Sequence, residues 1–472
     1  MNTRTRQKMI CVGVDFVSTS VAWLLFDIAR YYLLDVGYSS LSAFLLSSVV
    51  MAGQVLFPLI MLAIYWLSGY YNEPLHRSRA QEVLTTFGSC VAGAFLALMV
   101  MLVNDLSSDR VEDYRLMGVM LGILFVCVYF PRLLVTNSLL RRIKQGKLSF
   151  KTSLIALTPL DSDELFRDME QSLHPGAGMV VSRRDVIGEN GEGMAELVEA
   201  GSRNEIDCYL IVRHNSTSVS RMLYVIGGLL PVDKPIFIKP EVDTILTQRL
   251  GPGMPGTRMK LGSVDREPLL DVSRTEMSAM TLNLKRVADV VVSAAALAVI
   301  WPIIGVLAVM VKLDSEGPAF YRQPRIGYHR RPFNIYKLRT MKVDAESSGP
   351  QLTSTNDNRV TRLGKFLRKY RLDELPQFLN VLKGDMSLVG PRPEREYYVN
   401  EIMKRSPGYA LLHQLRPGIT SWGMVRYGYA STVDQMIERM RYDLLYLENV
   451  GFAVDMKILL HTLHTVISGK GQ

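Results

Sequence analysis

Four apolar stretches occupy the first third of this 472-residue chain, at about 9–34, 41–70, 84–103 and 116–134. Each meets the ~20 residues a helix needs to cross a bilayer's hydrocarbon core. Asp15, Asp27 and Arg30 interrupt the first stretch. A central charge costs roughly 2.5–3.5 kcal/mol on insertion scales, so these three are expected inside a helix bundle or near its ends. Arg4, Arg6 and Lys8 precede the first stretch, Arg77 and Arg79 follow the second, and Arg141, Arg142, Lys144 and Lys147 follow the fourth. The loop after the first has no Lys or Arg, and Asp105, Asp109, Glu112 and Asp113 outnumber Arg110 and Arg115 after the third. The positive-inside rule then predicts four spans, a cytoplasmic N-terminus, and a cytoplasmic location for everything after Lys147.

The pattern changes over 148–265. Apolar runs at 153–160, 208–213 and 235–240 alternate with helical-looking stretches such as 161–172. That alternation predicts a small Rossmann-like α/β domain with a parallel sheet. Its first strand leads into Thr158-Pro159-Leu160-Asp161 without the glycines a dinucleotide site requires. The domain therefore reads as regulatory, structural or oligomerising, followed by a flexible linker at GPGMPG (251–256).

A fifth apolar run, 287–311, carries Asp289 as its only formal charge. Lys285, Arg286 and Lys312 put positive charge at both ends, and Pro302 near the middle removes a helix hydrogen bond. A bent segment over 285–312 that enters and leaves one leaflet, breaking at Trp301-Pro302, fits these features. A proline-kinked span is the alternative. The expected organisation is an α/β membrane protein with four transmembrane helices (1–147), the middle domain (148–265), and a catalytic α/β domain (266–472) anchored by this re-entrant helix.

Mean hydropathy above zero excludes an ordinary soluble chain. Four cysteines, Cys11, Cys90, Cys127 and Cys208, lie without CxxC spacing, which indicates neither a zinc site nor a disulfide framework. No cleavable signal peptide is evident in the long first run. The net charge of +9 is concentrated. From Lys312 to Arg371 there are 14 Lys/Arg and 5 Asp/Glu, a local excess of 14 − 5 = +9. Strand-like pieces (318–327, 333–341) carry Arg322, Arg325, Lys337 and Arg339, and the helix-like 362–370 carries Arg362, Lys365 and Arg368 on nearly one face. Attraction to anionic headgroups explains part of this charge. Arginines held in fixed geometry also suit diphosphates. No nucleic-acid motif is present.

The basic run ends in RLDELPQFLNVLKGDMSLVGPRP (371–393). Adjacent carboxylates at a helix start, Asp373 and Glu374, diverge by about 100°. One can attack phosphorus to form an acyl phosphate while the other holds Mg²⁺. On spacing alone the pair reads equally as helix-start acids favoured by the helix dipole, with Pro376 in the first turn. Apolar residues at helical spacing over 432–468 predict helices packed on the core or lying on the membrane, and carry no chemistry.

Taken together, KRVADVVVSAAA (285–296), YRQPRIG (321–327), YKLRTM (336–341), TRLGKFLRKYRLDELPQFLNVLKGDMSLVGPRPE (361–394) and RPGITSW (416–422) resemble the bacterial polyprenyl-phosphate hexose-1-phosphate transferases. These are the long, polytopic form of the monotopic phosphoglycosyl transferases. The resemblance covers 282–472, with weaker signal before it. It implies an enzyme of the bacterial inner membrane that initiates surface polysaccharide or glycoconjugate assembly. In that reading Asp373 attacks a UDP-sugar, UMP leaves, and undecaprenyl phosphate takes the phosphosugar from the aspartyl enzyme. It further implies Glu374 as Mg²⁺ ligand or proton shuttle, and Asp385 as an aid to the metal or a structural part of its turn. Arg325, Lys337, Arg339, Arg371, Arg392 and Arg416 hold phosphates, and Asp289 pairs with a base. A homodimer is compatible with it. Two departures stand out: Ser421-Trp422-Gly423-Met424-Val425-Arg426 replaces the usual GW-Gln-Val-x-Gly-Arg stretch, and Trp301-Pro302 replaces Ser-Pro. A non-catalytic scaffold of a glycan assembly complex is the rival reading, and an NAD-using dehydratase a remote third.

Overall fold

A computed structural model describes residues 3–34, 37–72, 79–104, 110–158, 162–173, 179–188, 190–212, 218–239 and 269–468, apart from 274, 276, 344 and 346–356. The expected linker at 251–256 lies outside these residues.

Helices α1 (Thr3–Leu33), α2 (Leu41–Leu45), α3 (Ser48–Leu67), α4 (Arg79–Asn104) and α5 (Arg110–Lys144) form the first region. They pack around Ala22, Phe26, Met61, Tyr65, Cys90, Leu124 and Val128. The second apolar stretch, expected as one span, is two helices. Ser40 caps α2 by accepting from the Ala43 N–H, and Ser47 adopts extended backbone at the start of α3. Serine favours such cap positions over helix interiors. Asp15 and Asp27 face the interior, as their desolvation cost required. Asp15 accepts two hydrogen bonds at 2.7 Å from Arg132 and one at 2.8 Å from the Tyr71 hydroxyl. By length and composition α1, α3, α4 and α5 can cross a membrane, as can one later helix, so this is a multi-pass membrane protein.

Strands β1 (Phe150–Ala156), β2 (Met179–Val186), β3 (Cys208–Val212), β4 (Ile236–Ile238) and β5 (Leu270–Asp271) form a sheet in the order β2-β1-β3-β4-β5. All neighbours are parallel except β4 and β5. Helices α6 (Ser162–Ser172), α7 (Met194–Ser202) and α8 (Val219–Leu229) connect them. The parallel α/β sheet matches the sequence reading. The edge strand β2 escaped it, because Arg183 and Arg184 break the apolar run of a strand whose residues alternate between partly buried and exposed.

Helix α9 (Ala279–Asp314) is the fifth apolar segment, and its backbone stays helical through Trp301 and Pro302. Asp289, Ser293, Leu297, Ile304, Leu307 and Val311 form one buried stripe. Its N-terminal end meets both the first helical region and the part of the chain that follows α9. Asn283 donates to the Trp66 carbonyl of α3 (2.6 Å), and Arg286 donates to the Val381 carbonyl (2.7 Å). The expected base partner of Asp289 is not what the carboxylate meets. It accepts from the Ser387 hydroxyl (2.7 Å) and the Leu388 N–H (3.1 Å). At the other end Leu307 and Val311 pack with Ala319, Leu338 and Leu367. Both ends of α9 therefore rest on the same domain.

That domain contains the hairpin β6 (Phe320–Ile326) and β7 (Pro332–Leu338), then α10 (Arg362–Lys369), α11 (Gln377–Lys383), α12 (Glu396–Arg405), α13 (Trp422–Arg426), α14 (Val433–Glu448) and α15 (Phe452–Ile467). Short parallel strands β8 (Ser387–Val389) and β9 (Gly418–Thr420) tie its loops together. Their backbones approach so closely at Gly390 and Gly418 that a Cβ at either would meet the other's main chain.

Candidate active site

The dyad's presentation begins with the end of α10. Thr361 caps that helix by accepting from the Gly364 N–H at 3.0 Å. Arg371 then adopts a left-handed backbone (φ 53°), a costly conformation for a residue with a Cβ. It turns the chain into a 3-10 turn over Leu372–Glu374, so the dyad is not on the first turn of an α-helix as the spacing suggested. Successive residues of such a turn diverge by about 120°. Leu372 and Leu375 pack beneath the turn against the cluster of Leu307, Val311, Leu338 and Leu367. This anchoring leaves the two carboxylates on the side of the cavity.

The cavity has a volume of about 670 Å³, and its lining includes Arg325, Lys337, Arg371, Asp373, Glu374 and Arg392. Glu374 is surrounded by cations: Lys337 Nζ at 2.8 Å, Arg371 Nη1 at 3.4 Å and Arg392 Nη1 at 3.9 Å. Burial opposes its ionisation, but Lys337, Arg392 and Arg371 outweigh this and hold the carboxyl well below the usual range. Asp373 is equally buried, yet makes no hydrogen bond or ion pair among the described residues. Burial pushes its carboxyl up, with Lys337 opposing and the Glu374 charge reinforcing the rise. Neighbouring acids in one turn thus have opposite electrostatic fates: one neutralises cations, and the other keeps its oxygens uncommitted.

Not every expected phosphate ligand is equally free. Arg339 lines the cavity, but its Nη atoms donate to the carbonyls of Ser315 and Glu316, both at 2.6 Å, closing the C-terminal end of α9. Only its buried Nε–H lacks a partner among the described residues. Arg416 is not part of the cavity wall. It donates to the Gly384 carbonyl at 3.1 Å and lies over the Tyr328 ring. Asp385 is also outside the wall, with its carboxylate 3.4 Å from the Asn380 amide nitrogen. Trp301 and Pro302 are exposed in the middle of α9, remote in sequence from the bonds at either end.

The fold also brings in residues that the sequence reading did not assign to the site. Arg368 lines the cavity and donates to Thr340 Oγ1 at 2.9 Å. Glu394 lies between Arg325 Nη1 (3.2 Å) and Arg439 Nη2 (2.6 Å). Arg439 and Asp443, one helical turn apart, fall within the buried stripe of α14 formed with Met436, Met440 and Leu447. A charged pair at i, i+4 on an apolar face was the available signal.

As to a metal, no group of three or more potential ligand side chains occurs among the described residues. A Mg²⁺ ion needs only one or two carboxylates when substrate phosphates supply the rest. The uncommitted oxygens of Asp373, beside Glu374, fit that donor set. Asp385 does not.

A model of the bacterial sugar transferase family matches residues 280–469, which includes the whole cavity. The chain is 42% identical over 188 residues to a UDP-N-acetylgalactosamine-undecaprenyl-phosphate N-acetylgalactosaminephosphotransferase of Aeromonas hydrophila, covering 40% of this chain and 44% of that protein. It is 37% identical over 206 residues to the UDP-glucose:undecaprenyl-phosphate glucose-1-phosphate transferase of Escherichia coli K12, covering 43% and 44%. With a protein of that same name from Caulobacter vibrioides it shares 42% identity over 186 residues, covering 39% of this chain and 70% of the relative. The chain thus spans less than half the length of the first two relatives.

Proposed function

This chain belongs to the bacterial sugar transferase family, and we propose from that membership and the cavity's chemistry that it transfers a sugar 1-phosphate from a UDP-sugar to undecaprenyl phosphate, releasing UMP. The observation that carries the reading is Asp373, a buried carboxylate with free oxygens beside a cluster of cations.

A nucleophile must keep a lone pair available, and a dianionic diphosphate repels a carboxylate. Lys337, Arg371 and Arg392 offset that repulsion and bind phosphate oxygens. Asp373 attacks the sugar-bearing phosphorus. The new O–P bond forms as the bond to the UMP oxygen breaks, and UMP leaves with that electron pair. A phosphate oxygen of the polyprenyl acceptor then attacks the same phosphorus. The aspartyl–phosphorus bond breaks, and Asp373 is returned as a carboxylate. Glu374 keeps Lys337, Arg371 and Arg392 aligned through both displacements. The free oxygens of Asp373, with Glu374 beside them and the substrate phosphates, would hold Mg²⁺, which would supply further neutralisation of phosphate charge.

The acceptor is a lipid, so the cavity must lie at a bilayer surface. Contacts at both ends of α9 with one domain support a helix that enters and leaves through the cytoplasmic leaflet. The Asn283–Trp66 bond supports the same placement, because it joins α9 to the end of α3 that the positive-inside rule puts in the cytoplasm. The assay is UMP release from a panel of UDP-sugars by nanodisc-embedded protein with undecaprenyl phosphate and Mg²⁺. Release with one donor, lost in Asp373→Asn, supports the reading. Release that persists in the variant overturns the nucleophile, and none with any donor favours a scaffold.

A further inference from the structure

Helix α14 reaches the cavity from the far side of the domain. Arg439 on this helix is 4% exposed, and its Nη2 lies 2.6 Å from Glu394 Oε1. Glu394 is itself 5% exposed, and its second oxygen accepts from Arg325 Nη1 at 3.2 Å. Arg392 Nε lies 3.9 Å from Glu394 Oε1 on the other side. A single carboxylate on the cavity wall is thus shared among three arginines, Arg325, Arg392 and Arg439, all of which line the cavity.

Asp443, one turn further along α14, is 3% exposed. It accepts from the Gly423 N–H at 2.9 Å, at the start of α13 beside Ser421. Ser421 also caps α13 by accepting from the Met424 N–H at 3.0 Å. Gly423 has no room for a side chain, since a Cβ there would press on Arg439 and Asp443. Arg392 is therefore held from α14 through its side chain, by the Arg439–Glu394 pair.

We propose that Arg439 is a positioning residue that, through Glu394, sets the geometry of Arg392 for a nucleoside diphosphate. The inference rests on the function proposed above. Arg439 lines the cavity, but its Nη2 is spent on Glu394, so it can act on substrate through Arg392. Arg439 fixes the Glu394 carboxylate, and Glu394 in turn directs the Arg392 guanidinium that faces it across 3.9 Å; without that pair Arg392 loses its direction toward phosphate. Arg325 is already committed, to Gln323, the Pro393 carbonyl and Glu394, so Arg392 is the guanidinium that this arrangement directs.

A buried ion pair can serve the fold alone, so the test separates the two roles. Isothermal titration with UDP on the nanodisc-embedded full chain gives affinity without requiring turnover, and thermal unfolding of the same samples gives stability. Arg439→Met is expected to lower both, because it leaves Glu394 buried with one partner fewer. The double variant Arg439→Met/Glu394→Gln removes the uncompensated charge. Recovery of thermal stability with UDP binding still weakened about tenfold, the scale of one lost charge-assisted contact, is the expected result. Glu394→Gln alone, which keeps Arg439 on the cavity wall, is expected to weaken UDP binding as much as the double variant; parental affinity in it would assign the loss to a direct Arg439 contact and overturn the positioning role. Parental UDP affinity in the double variant overturns the proposal, as does a parent chain that binds no UDP. UDP binding without UMP release in the parent would instead overturn the proposed reaction while leaving the positioning role supported.

Discussion

Asp15 and Arg132 in the helical region pair through two hydrogen bonds, and the remaining groups are also occupied: Tyr71 donates to Asp15, and Arg132 donates to Thr86 at 2.8 Å. Tyr70 and Tyr65 cover the guanidinium, with ring centroids 3.5 and 4.2 Å from its carbon. Around the cavity the balance differs. Lys337, Arg371 and Arg392 converge on Glu374, while Asp373 beside it takes no hydrogen bond among the described residues. Both clusters are buried, and both place charge where desolvation is expensive. The first is complete in itself, which makes it a staple between α1, α4 and α5. The second has cations in excess and a carboxylate without a donor, so it is completed only by an anionic ligand.

The largest expected effect tests the second half of that comparison. Asp373→Asn should reduce UMP release by at least ~10³-fold, the scale of removing a nucleophile, while thermal unfolding stays at or above the parent's temperature. The sign follows from linkage. A carboxyl whose folded pKa is raised makes the folded state lose stability as pH rises from the unfolded value through the folded one, and the amide removes that cost. For the same reason the acid limb of activity should lie above the ordinary aspartate range. A clearly destabilised Asp373→Asn would mean that the free carboxylate is a structural group after all.

Next comes the staple. Arg132→Met alone should cost about 3–5 kcal/mol by stranding Asp15, and adding Asp15→Leu should recover most of it. Unfolding in nanodiscs measures both, and failure of the double variant to recover would show that the pair does more than join helices. Glu374→Gln should destabilise by about 1–3 kcal/mol at neutral pH by leaving three cations facing one another. Because burial is outweighed by Lys337, Arg392 and Arg371, the folded pKa is depressed. The stability is therefore full above the unfolded value of 4.5 and is lost as pH falls below it, so the difference from the parent should shrink on acidification.

Smaller effects separate cavity wall from scaffold. Arg339→Met should lower stability by about 1–2 kcal/mol through the uncapped carbonyls of α9. The smallest should be Arg416→Met, whose donor affinity is expected within about threefold of the parent, since a group off the cavity wall forfeits no charge-assisted bond to phosphate. A tenfold loss there would place Arg416 on the substrate.

The sequence made much of this legible. Periodicity located the apolar helices, strands β1, β3 and β4, the β6–β7 pieces and helix α10. The dyad stood out because two carboxylates among bases are chemically unusual. The break at Leu46-Ser47 was hidden because apolarity continues through it and only the serine's preference for a cap marks it. Arg132 was overlooked inside an apolar run, since nothing local connects it with Asp15, 117 positions earlier. Arg439 looked like one more charge on a C-terminal helix until packing placed it against Glu394.

By itself the sequence determined the order of regions, the long apolar helices, the parallel sheet and the identity of the two adjacent acids, because these depend on residue type and short-range spacing. Only the tertiary structure decided which acid stays free, which arginines are spent on carbonyls, and how a distant helix holds the cavity. Those outcomes depend on the left-handed turn at Arg371 and on pairings across 45 or more positions. Such pairings are set by how buried surfaces pack and which charges they leave together, and no local pattern encodes them.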